Sequence, residues 1–472
     1  MAVSKNPFPD AARKLQHLYL RAGFGESPQF LKENADKPLE WHVERLFSDS
    51  KSFQDLQLLP DPTAGHEREV GKFKMGVIFM RSKKELKELN LHWLDRMATT
   101  NGQLREKLCL FWHDHFATNV PVGYLMQVQN NTLRAHALGK FDRLLHNIAK
   151  DPAMLIYLNN QQNKKGHPNE NFAREVMELF TLGIGNYTEN DVKEAARAFT
   201  GWQVTATGKY EFNARQHDFG NKAVLGKTDE WTGEDILDML ATHPQTSRHL
   251  AKKLYAWFVN DQPHPERILE IEKSLKDSQL DIGLTLKKLF LSEWFYSPEN
   301  IGALVKSPVE LLVQFKRLLK MDLRREQLLL KAQTALGQVL FFPPNVAGWP
   351  NGTQWIDSST LLLRMKLPLV LFGADAFDIA VKGDLEDEGP DISMTEIPKQ
   401  FKAESDWKEF LHAFAGLSEN ELLQAIVDVL LVCPQVRVDL DNLRQYGDNS
   451  SPNSLIQSLA IRVMALPEFQ LK

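Results

Sequence analysis

LREKLCLFWHDHF, residues 104–116, carries apolar side chains at spacings of three and four residues, which is the pattern of an amphipathic helix. The same spacing recurs in 15–20, 86–97, 141–158 and 172–182. Strand-like alternation is scarce, and the best candidates are 202–207 and 209–212, which flank Gly208 and could form a hairpin. We therefore predict an all-α, predominantly helical fold with at most one small β-hairpin near 202–212.

Three segments carry the signature of a helix N-terminus, in which a Ser or Thr and an acidic residue three positions later cap each other's backbone N–H groups. They begin at Thr188, Thr232 and Ser307, and the last one also places Pro308 at the first helical position. We predict that a helix begins directly after each of these three residues.

The stretch KGDLEDEGP, residues 382–390, is the longest acidic segment that is rich in helix-breaking residues. It divides the chain into a predicted helical core at 1–371, an acidic loop at 372–394 and a C-terminal helical segment at 395–472. We expect the C-terminal segment to pack on the core.

Composition narrows the class of protein. The chain has 472 residues and a net charge of −5, whereas a nucleic-acid binder normally shows a basic surplus, so no nucleic-acid partner is expected. Cys109 and Cys433 are the two cysteines and imply neither a disulfide framework nor a cysteine-based zinc site. No apolar run approaches the roughly 20 residues that span a bilayer, and no leader pattern precedes residue 17, so we expect a cytoplasmic protein without a membrane span.

Two histidines stand at the end of the 104–116 segment. His113 and His115 are two residues apart, which places them about 200° apart on a regular helix, so they can bind one ion only if the helix unwinds there. Imidazole suits zinc, iron, nickel or copper. Chelation by this pair therefore depends on where the helix ends.

A second polar segment, PNENFAREVMELFTLGIG at 168–185, reads as a helix of roughly three turns. Glu170, Arg174 and Glu178 recur every four residues, and Glu175 shares a broad face with Glu178. One helix therefore presents three carboxylates and a guanidinium to whatever packs against it.

Other segments add weaker candidates. His217 and Asp218 lie in a turn-rich stretch and could supply a metal ligand or a general base, although an ordinary surface turn explains them as well. We interpret His243 as a helix-capping residue and His249 as a structural one. The segment FFPPNVAGWPNGTQW at 341–355 is interpreted as a rigid plug that closes the core.

Two hypotheses follow. In the first, the protein is a metal-dependent enzyme, and hydrolysis is favoured over oxidation as its reaction. A divalent ion is bound by four side chains, those of His113, His115, Glu175 and His217. The residues that act on the substrate are Glu170, Arg174, Glu178 and Asp218. HExxH and paired ExxH motifs are absent from the sequence. In the second, the protein is a non-catalytic binding or assembly protein, and the same His, Glu and Arg residues form a buried structural network.

Taken together, the motifs resemble those of the bacterial domain of unknown function 1800 family. The similar segments are HLYLRAGFG (17–25), REKLCLFWHDHFATN (105–119), DPAMLIYL (151–158), PNENFAREVMELFTLGIGNYTENDVKEAARAFTGW (168–202), HDFGNKAVLG (217–226), KSPVELL (306–312), PPNVAGWPNGTQWI (343–356) and PEFQL (467–471).

The resemblance implies little about the activity, because the family's function is not established. Its members are often exported and often encoded beside sulfatase-like proteins, which implies a sulfatase-like partner. The first motif begins only about 16 residues into this chain, so export is not expected here. The polar candidates fall within the family's motifs, which gives weight to a functional site.

Overall fold

The computed structural model describes residues 8, 10–64, 72–322, 327–373, 403–433 and 438–472, and it describes their side chains except at 10, 72–81, 327 and 420. The helices of this part are α1 (Asp10–Ala22), α2 (Pro28–Asn34), α3 (Leu39–Asp49), α4 (Lys72–Thr99), α5 (Gln103–His115), α6 (Gly123–His136), α7 (Phe141–Ala149), α8 (Pro152–Tyr157), α9 (Asn171–Glu175), α10 (Glu189–Ala198), α11 (Gly233–Thr242), α12 (Pro244–Phe258), α13 (Pro265–Asp277), α14 (Ile282–Leu291), α15 (Pro308–Leu319), α16 (Gln327–Leu336), α17 (Ser358–Phe372), α18 (Lys408–Phe414), α19 (Glu419–Leu430), α20 (Leu440–Arg444) and α21 (Pro452–Met464). Five single turns of 3₁₀ helix accompany them, at Asn160–Gln162, Ala214–Gln216, Glu293–Tyr296, Gly352–Trp355 and Pro467–Gln470, and a π-helical segment, Val176–Leu182, continues α9.

The predicted helical fold is confirmed, and the predicted hairpin forms between β1 (Trp202–Val204) and β2 (Tyr210–Phe212). A second hairpin, between β3 (Lys222–Val224) and β4 (Lys227–Asp229), exceeds the single hairpin that we predicted. Its strands have three residues each, too short for a clear alternation of apolar and polar side chains. Leu225 and Gly226 form its turn with positive φ angles of 49° and 76°.

The three predicted helix starts are confirmed. Thr188, Thr232 and Ser307 each form a reciprocal capping box with the residue three positions later, before α10, α11 and α15. His243 accepts a hydrogen bond from the backbone N–H of Gln245 at 3.1 Å and so caps α12, as we interpreted it. Local signals were sufficient here because each cap involves residues only two or three positions apart.

Helix α5 lies at the centre of the molecule. Every one of its 13 residues is buried, so our prediction that this segment is amphipathic was wrong. Its charged residues are tolerated because each finds partners inside the protein. Glu106 accepts two hydrogen bonds from Arg134, at 2.6 and 3.1 Å, and one from the indole N–H of Trp93 at 2.8 Å. Lys107 pairs with Glu310 and donates to the carbonyls of Leu20 and Gly23.

The last residues of the chain are held in this core. Lys472 and Leu304 exchange backbone hydrogen bonds, and the Nζ atom of Lys472 lies 2.5 Å from Oε1 of Glu310. Helix α18 packs on α2, α19 on α1, and α21 on α17. Most of the predicted acidic loop lies outside the described residues, so the predicted division into core, loop and C-terminal segment stays a prediction. Among the described helices, none is long and apolar enough to cross a membrane.

Candidate functional site

Helix α5 remains regular through both histidines and ends at Phe116, so His113 and His115 point to opposite sides of it. The ring of His113 packs between Trp93, Phe341 and Trp349. Its Nε2 atom accepts a hydrogen bond from the backbone N–H of Phe341 at 3.1 Å, and burial lowers the pKa of His113 to about 3. This bond secures Phe341 in a left-handed conformation with φ of 69°, which is unfavourable for a bulky residue.

On the other side of α5, His115 contacts the end of the 171–182 helix. Its Nε2 atom lies 3.2 Å from the carbonyl oxygen of Phe180, and because a carbonyl can only accept, this nitrogen carries the proton. Burial, with a smaller effect of nearby Lys253, holds the pKa of His115 well below its usual value. Its Nδ1 atom is buried and has no hydrogen-bond partner among the described residues.

Side chains cap the carbonyl groups at the end of the 171–182 helix, which its own backbone leaves unpaired. His249 donates to the carbonyl of Leu179 at 3.0 Å, next to the carbonyl that His115 occupies. Asn186 donates to the carbonyl of Leu182 at 3.0 Å, and the helix ends at Gly183, whose φ is 78°. His249 thus has the structural role that we predicted.

The charged residues of α9 lie nearer the surface. The guanidinium of Arg174 donates to both carboxylate oxygens of Glu189, at 2.8 and 2.7 Å, and lies 3.4 Å from Glu170. The hydrogen bonds to Glu189 raise the pKa of Arg174 above its ordinary value. Arg174 is therefore occupied by an ion pair within the protein. The sequence reading missed Glu189, because only the turn at 183–188 brings it back to α9.

The remaining two carboxylates of this helix differ from each other. Glu178 accepts a hydrogen bond from the hydroxyl group of Tyr187. Glu175 is half-buried, and within the described part of the chain its carboxylate forms no hydrogen bond or ion pair. Burial and the neighbouring charge of Glu178 raise its pKa. Glu175 is therefore the one candidate on this helix that is free to exchange a proton.

His217 and Asp218 occupy a third location. The Nδ1 atom of His217 donates to the carbonyl of Thr200 at 2.8 Å, and its ring is flanked by Phe212 and Phe219 with centroid distances of 5.2 and 4.6 Å. Asp218 accepts from Arg197 at 2.8 Å, and this hydrogen bond lowers the pKa of Asp218.

The structure therefore does not bring the four predicted metal ligands together. His113 faces the 341–349 loop, His115 the end of the π-helical segment, and His217 the β1–β2 hairpin. In the ranges that the structure describes, no group of three or more His, Cys, Asp or Glu side chains is placed to hold a metal ion. The donor set that we predicted does not fit one divalent ion.

Asp114, between the two histidines, has a role that the sequence reading did not assign. It accepts a hydrogen bond from the backbone N–H of Trp349 at 2.8 Å, and burial raises its pKa to about 6. A Cβ atom at Gly348, whose φ is 88°, would lie 2.4 Å from Asp114 Oδ1. Trp349 and Trp355 are both buried, which agrees with our interpretation of this loop as a plug.

Comparison with known proteins identifies the family of this chain but assigns no activity to it. No curated protein and no solved structure matches this chain. The sequence model of one family matches residues 17–471, and its description is "Protein of unknown function (DUF1800)". Because that match covers nearly the whole chain and includes every motif quoted above, the protein belongs to the DUF1800 family.

Proposed function

We propose that this protein is a non-catalytic binding or assembly protein, in which most of the conspicuous polar residues stabilise the helical body. The observation that carries the proposal is that His113 and His115 each form a hydrogen bond with the backbone of a different segment. These bonds occupy Nε2 on both rings and face different segments, so one metal ion could not bind both histidines through Nε2 without leaving a buried backbone group unpaired.

The other candidates agree with this interpretation. Arg174 is held by Glu189, Asp218 by Arg197, and Glu178 by Tyr187. A catalytic group must be able to reach a substrate, whereas each of these groups is already engaged by a partner within the chain. Their arrangement supports a structural role.

The surface around His217 is the best candidate for partner binding. Phe219 and Phe212 are 55% and 45% exposed and flank the buried imidazole, so they form an exposed aromatic surface. Exposed aromatic side chains with few rotatable bonds are typical anchors of protein interfaces. The partner that we propose is the sulfatase-like protein that the family resemblance suggests.

The test is direct binding of the full chain to a sulfatase-like protein encoded beside a member of this family, measured by isothermal titration calorimetry. We expect Phe219→Ala to weaken binding by tenfold or more, since loss of an aromatic anchor costs at least about 1–2 kcal/mol. Leu284→Ala is the matched control, because Leu284 is 54% exposed on α14. Absence of binding by the wild-type chain, or equal losses in both variants, would contradict the proposal.

A metal-dependent or acid-base hydrolase is the second candidate, and Glu175 is the observation that favours it. A half-buried carboxyl with a raised pKa and no hydrogen-bonding partner among the described residues has the character of a proton-exchanging group. Elemental analysis of the purified protein separates the binding protein from the metal-dependent form of the hydrolase. A stoichiometric divalent metal that is lost in His115→Phe would favour the enzyme and overturn the first proposal.

A further inference from the structure

A cleft of about 540 Å³ opens between the end of α3, the segment that follows it, the last turns of α4 and the start of α5. Its volume is in the range of small-molecule sites, which enclose about 300–1,000 Å³. None of the candidate residues of the preceding sections lines this cleft, so it is a separate feature of the molecule. The ionisable side chains on its walls are Asp49, His92, Asp95, Arg96, Arg105 and Glu106.

The three carboxylates of the cleft are paired with cationic side chains that lie outside the cleft. Each forms an ion pair with a cationic side chain that does not line the cleft. The pairs are Asp49 with Arg45 at 3.4 Å, Asp95 with Lys316 at 3.1 Å and Glu106 with Arg134 at 2.6 Å. The negative charge on the walls is therefore largely compensated before any ligand enters.

The two arginines are not neutralised in this way. Arg105 donates from Nε to the carbonyl of Ser50 at 2.7 Å and from Nη1 to the carbonyl of Arg134 at 2.6 Å. Arg96 donates to the carbonyl of Gln54. Within the described ranges neither guanidinium forms an ion pair, and Nη2 of Arg105 donates to no acceptor. Burial lowers the pKa of both arginines, and the nearby carboxylate of Glu106 offsets only part of this effect.

The surroundings of the arginines hold them in place and add to the positive potential. The guanidinium of Arg105 lies over the ring of Phe53, 4.2 Å from its centroid, and Phe53 is still 41% exposed. Helix α5 begins at the cleft, so its dipole places partial positive charge there, while the N–H groups of Gln103 and Arg105 already donate to the Asn101 carbonyl and the Ser50 hydroxyl.

We propose that this cleft binds a small organic anion, whose carboxylate or phosphate oxygens contact Arg96 and Arg105 while its carbon skeleton contacts Phe53. Guanidinium groups held by the backbone are well suited to this, because they present fixed N–H groups to an oxyanion. Thr99, Thr100 and Asn101 supply hydroxyl and amide groups at the same walls. The proposal does not depend on the proposed function, since an anion site is compatible with either a binding protein or an enzyme.

The test is calorimetric titration of the full chain at low ionic strength with inorganic phosphate, with citrate, and with uncharged sorbitol as a negative control. We expect phosphate, citrate or both to bind with one site per chain, and sorbitol not to bind. Binding of phosphate alone identifies a phosphate ligand, and binding of citrate alone identifies a carboxylate ligand. Failure of both anions to bind would overturn the proposal.

Variants locate the site. Arg96→Gln should weaken anion binding by tenfold or more, because it removes a charge-assisted hydrogen bond. Arg143→Gln removes the same charge from an exposed position outside the cleft and should change the affinity by less than twofold. If Arg96→Gln does not fold, Arg105→Lys provides the same test. This variant keeps the positive charge but loses the forked geometry of the guanidinium, so it should also weaken anion binding. Unchanged affinity in a folded cleft variant, or an equal loss in Arg143→Gln, would overturn the proposal.

Discussion

Replacing Glu310 by glutamine should destabilise the protein strongly, because this carboxylate is the shared partner of two buried lysines. Its Oε1 atom accepts hydrogen bonds from the ammonium groups of Lys107 and Lys472. Its Oε2 atom accepts from the backbone N–H of Ser307 at 2.8 Å and completes the capping box of α15. All three charged residues are at most 5% exposed. A glutamine would leave both lysines without a counter-charge.

The structure suggests the magnitude of the loss. Removing one partner of a buried ion pair costs about 3–5 kcal/mol, and loss of a helix N-cap contact alone costs about 1 kcal/mol. Asp235→Asn is the matched control, because Asp235 completes an equivalent capping box at the exposed start of α11. We expect Glu310→Gln to lower the free energy of unfolding by about 3–5 kcal/mol at pH 7, and Asp235→Asn by about 1 kcal/mol.

The effect should also depend on pH. Burial already lowers the pKa of Lys472 to about 7, and it lowers the pKa of Lys107 as well, while Glu310 raises both. Without Glu310 the pKa of both lysines falls further in the folded variant, whereas in the unfolded chain it stays at about 10.4. The unfolded state then binds more protons, so the stability of the variant rises with pH by up to about 1.4 kcal/mol per unit for each lysine.

Urea unfolding followed by circular dichroism at pH 7.0 and pH 9.5 measures both effects. The deficit of Glu310→Gln relative to the wild type should be smaller at pH 9.5 than at pH 7.0. The reasoning is refuted if Glu310→Gln loses no more stability than Asp235→Asn. It is refuted equally if the deficit grows as the pH rises.

Three further variants test other parts of the structure. Burial raises the pKa of Asp151 to about 7, so its contribution to the free energy of unfolding is lost as the pH rises from about 4 to about 7. Asp151→Asn should remove this decline of the free energy with pH, measured by urea unfolding. An unchanged decline would refute the assignment. Gly348→Ala should lower the melting temperature more than Gly226→Ala does. Both glycines have positive φ, but only at Gly348 would an added Cβ lie within 4 Å of a neighbour, Asp114. Equal decreases of the melting temperature in calorimetry would contradict this. Glu175→Gln should leave the free energy of unfolding within about 0.5 kcal/mol of the wild type, because no described group pairs with Glu175, and a loss of several kcal/mol in urea unfolding would reveal a partner.

Much of the local structure could be predicted from the sequence. The capping boxes at Thr188, Thr232 and Ser307, the cap at His243 and the hairpin around Gly208 each depend on residues a few positions apart, and all of them form. The spacing of His113 and His115 likewise indicated that an intact helix would separate them. That is what α5 does, because it remains regular as far as His115.

The candidate site could not be predicted in the same way. Glu175 and Glu178 share a helix, yet only the tertiary structure decides that Tyr187 contacts one of them and that no described group contacts the other. His115 finds its partner, Phe180, 65 positions away, and Glu310 finds Lys107 203 positions away. The sequence also predicted an amphipathic helix at 104–116, whereas the packing of the other helices buries every residue of α5.

The sequence by itself determined where helices begin, which spacings can cooperate on one helix and which family the motifs resemble. The tertiary structure decided which polar groups meet, which are saturated and which, like Arg96 and Arg105, remain without a carboxylate among the described residues. The physical reason is that backbone hydrogen bonds and caps are set within a few residues. Burial and ion pairing depend on segments that are distant in the chain and that only the packed core brings together.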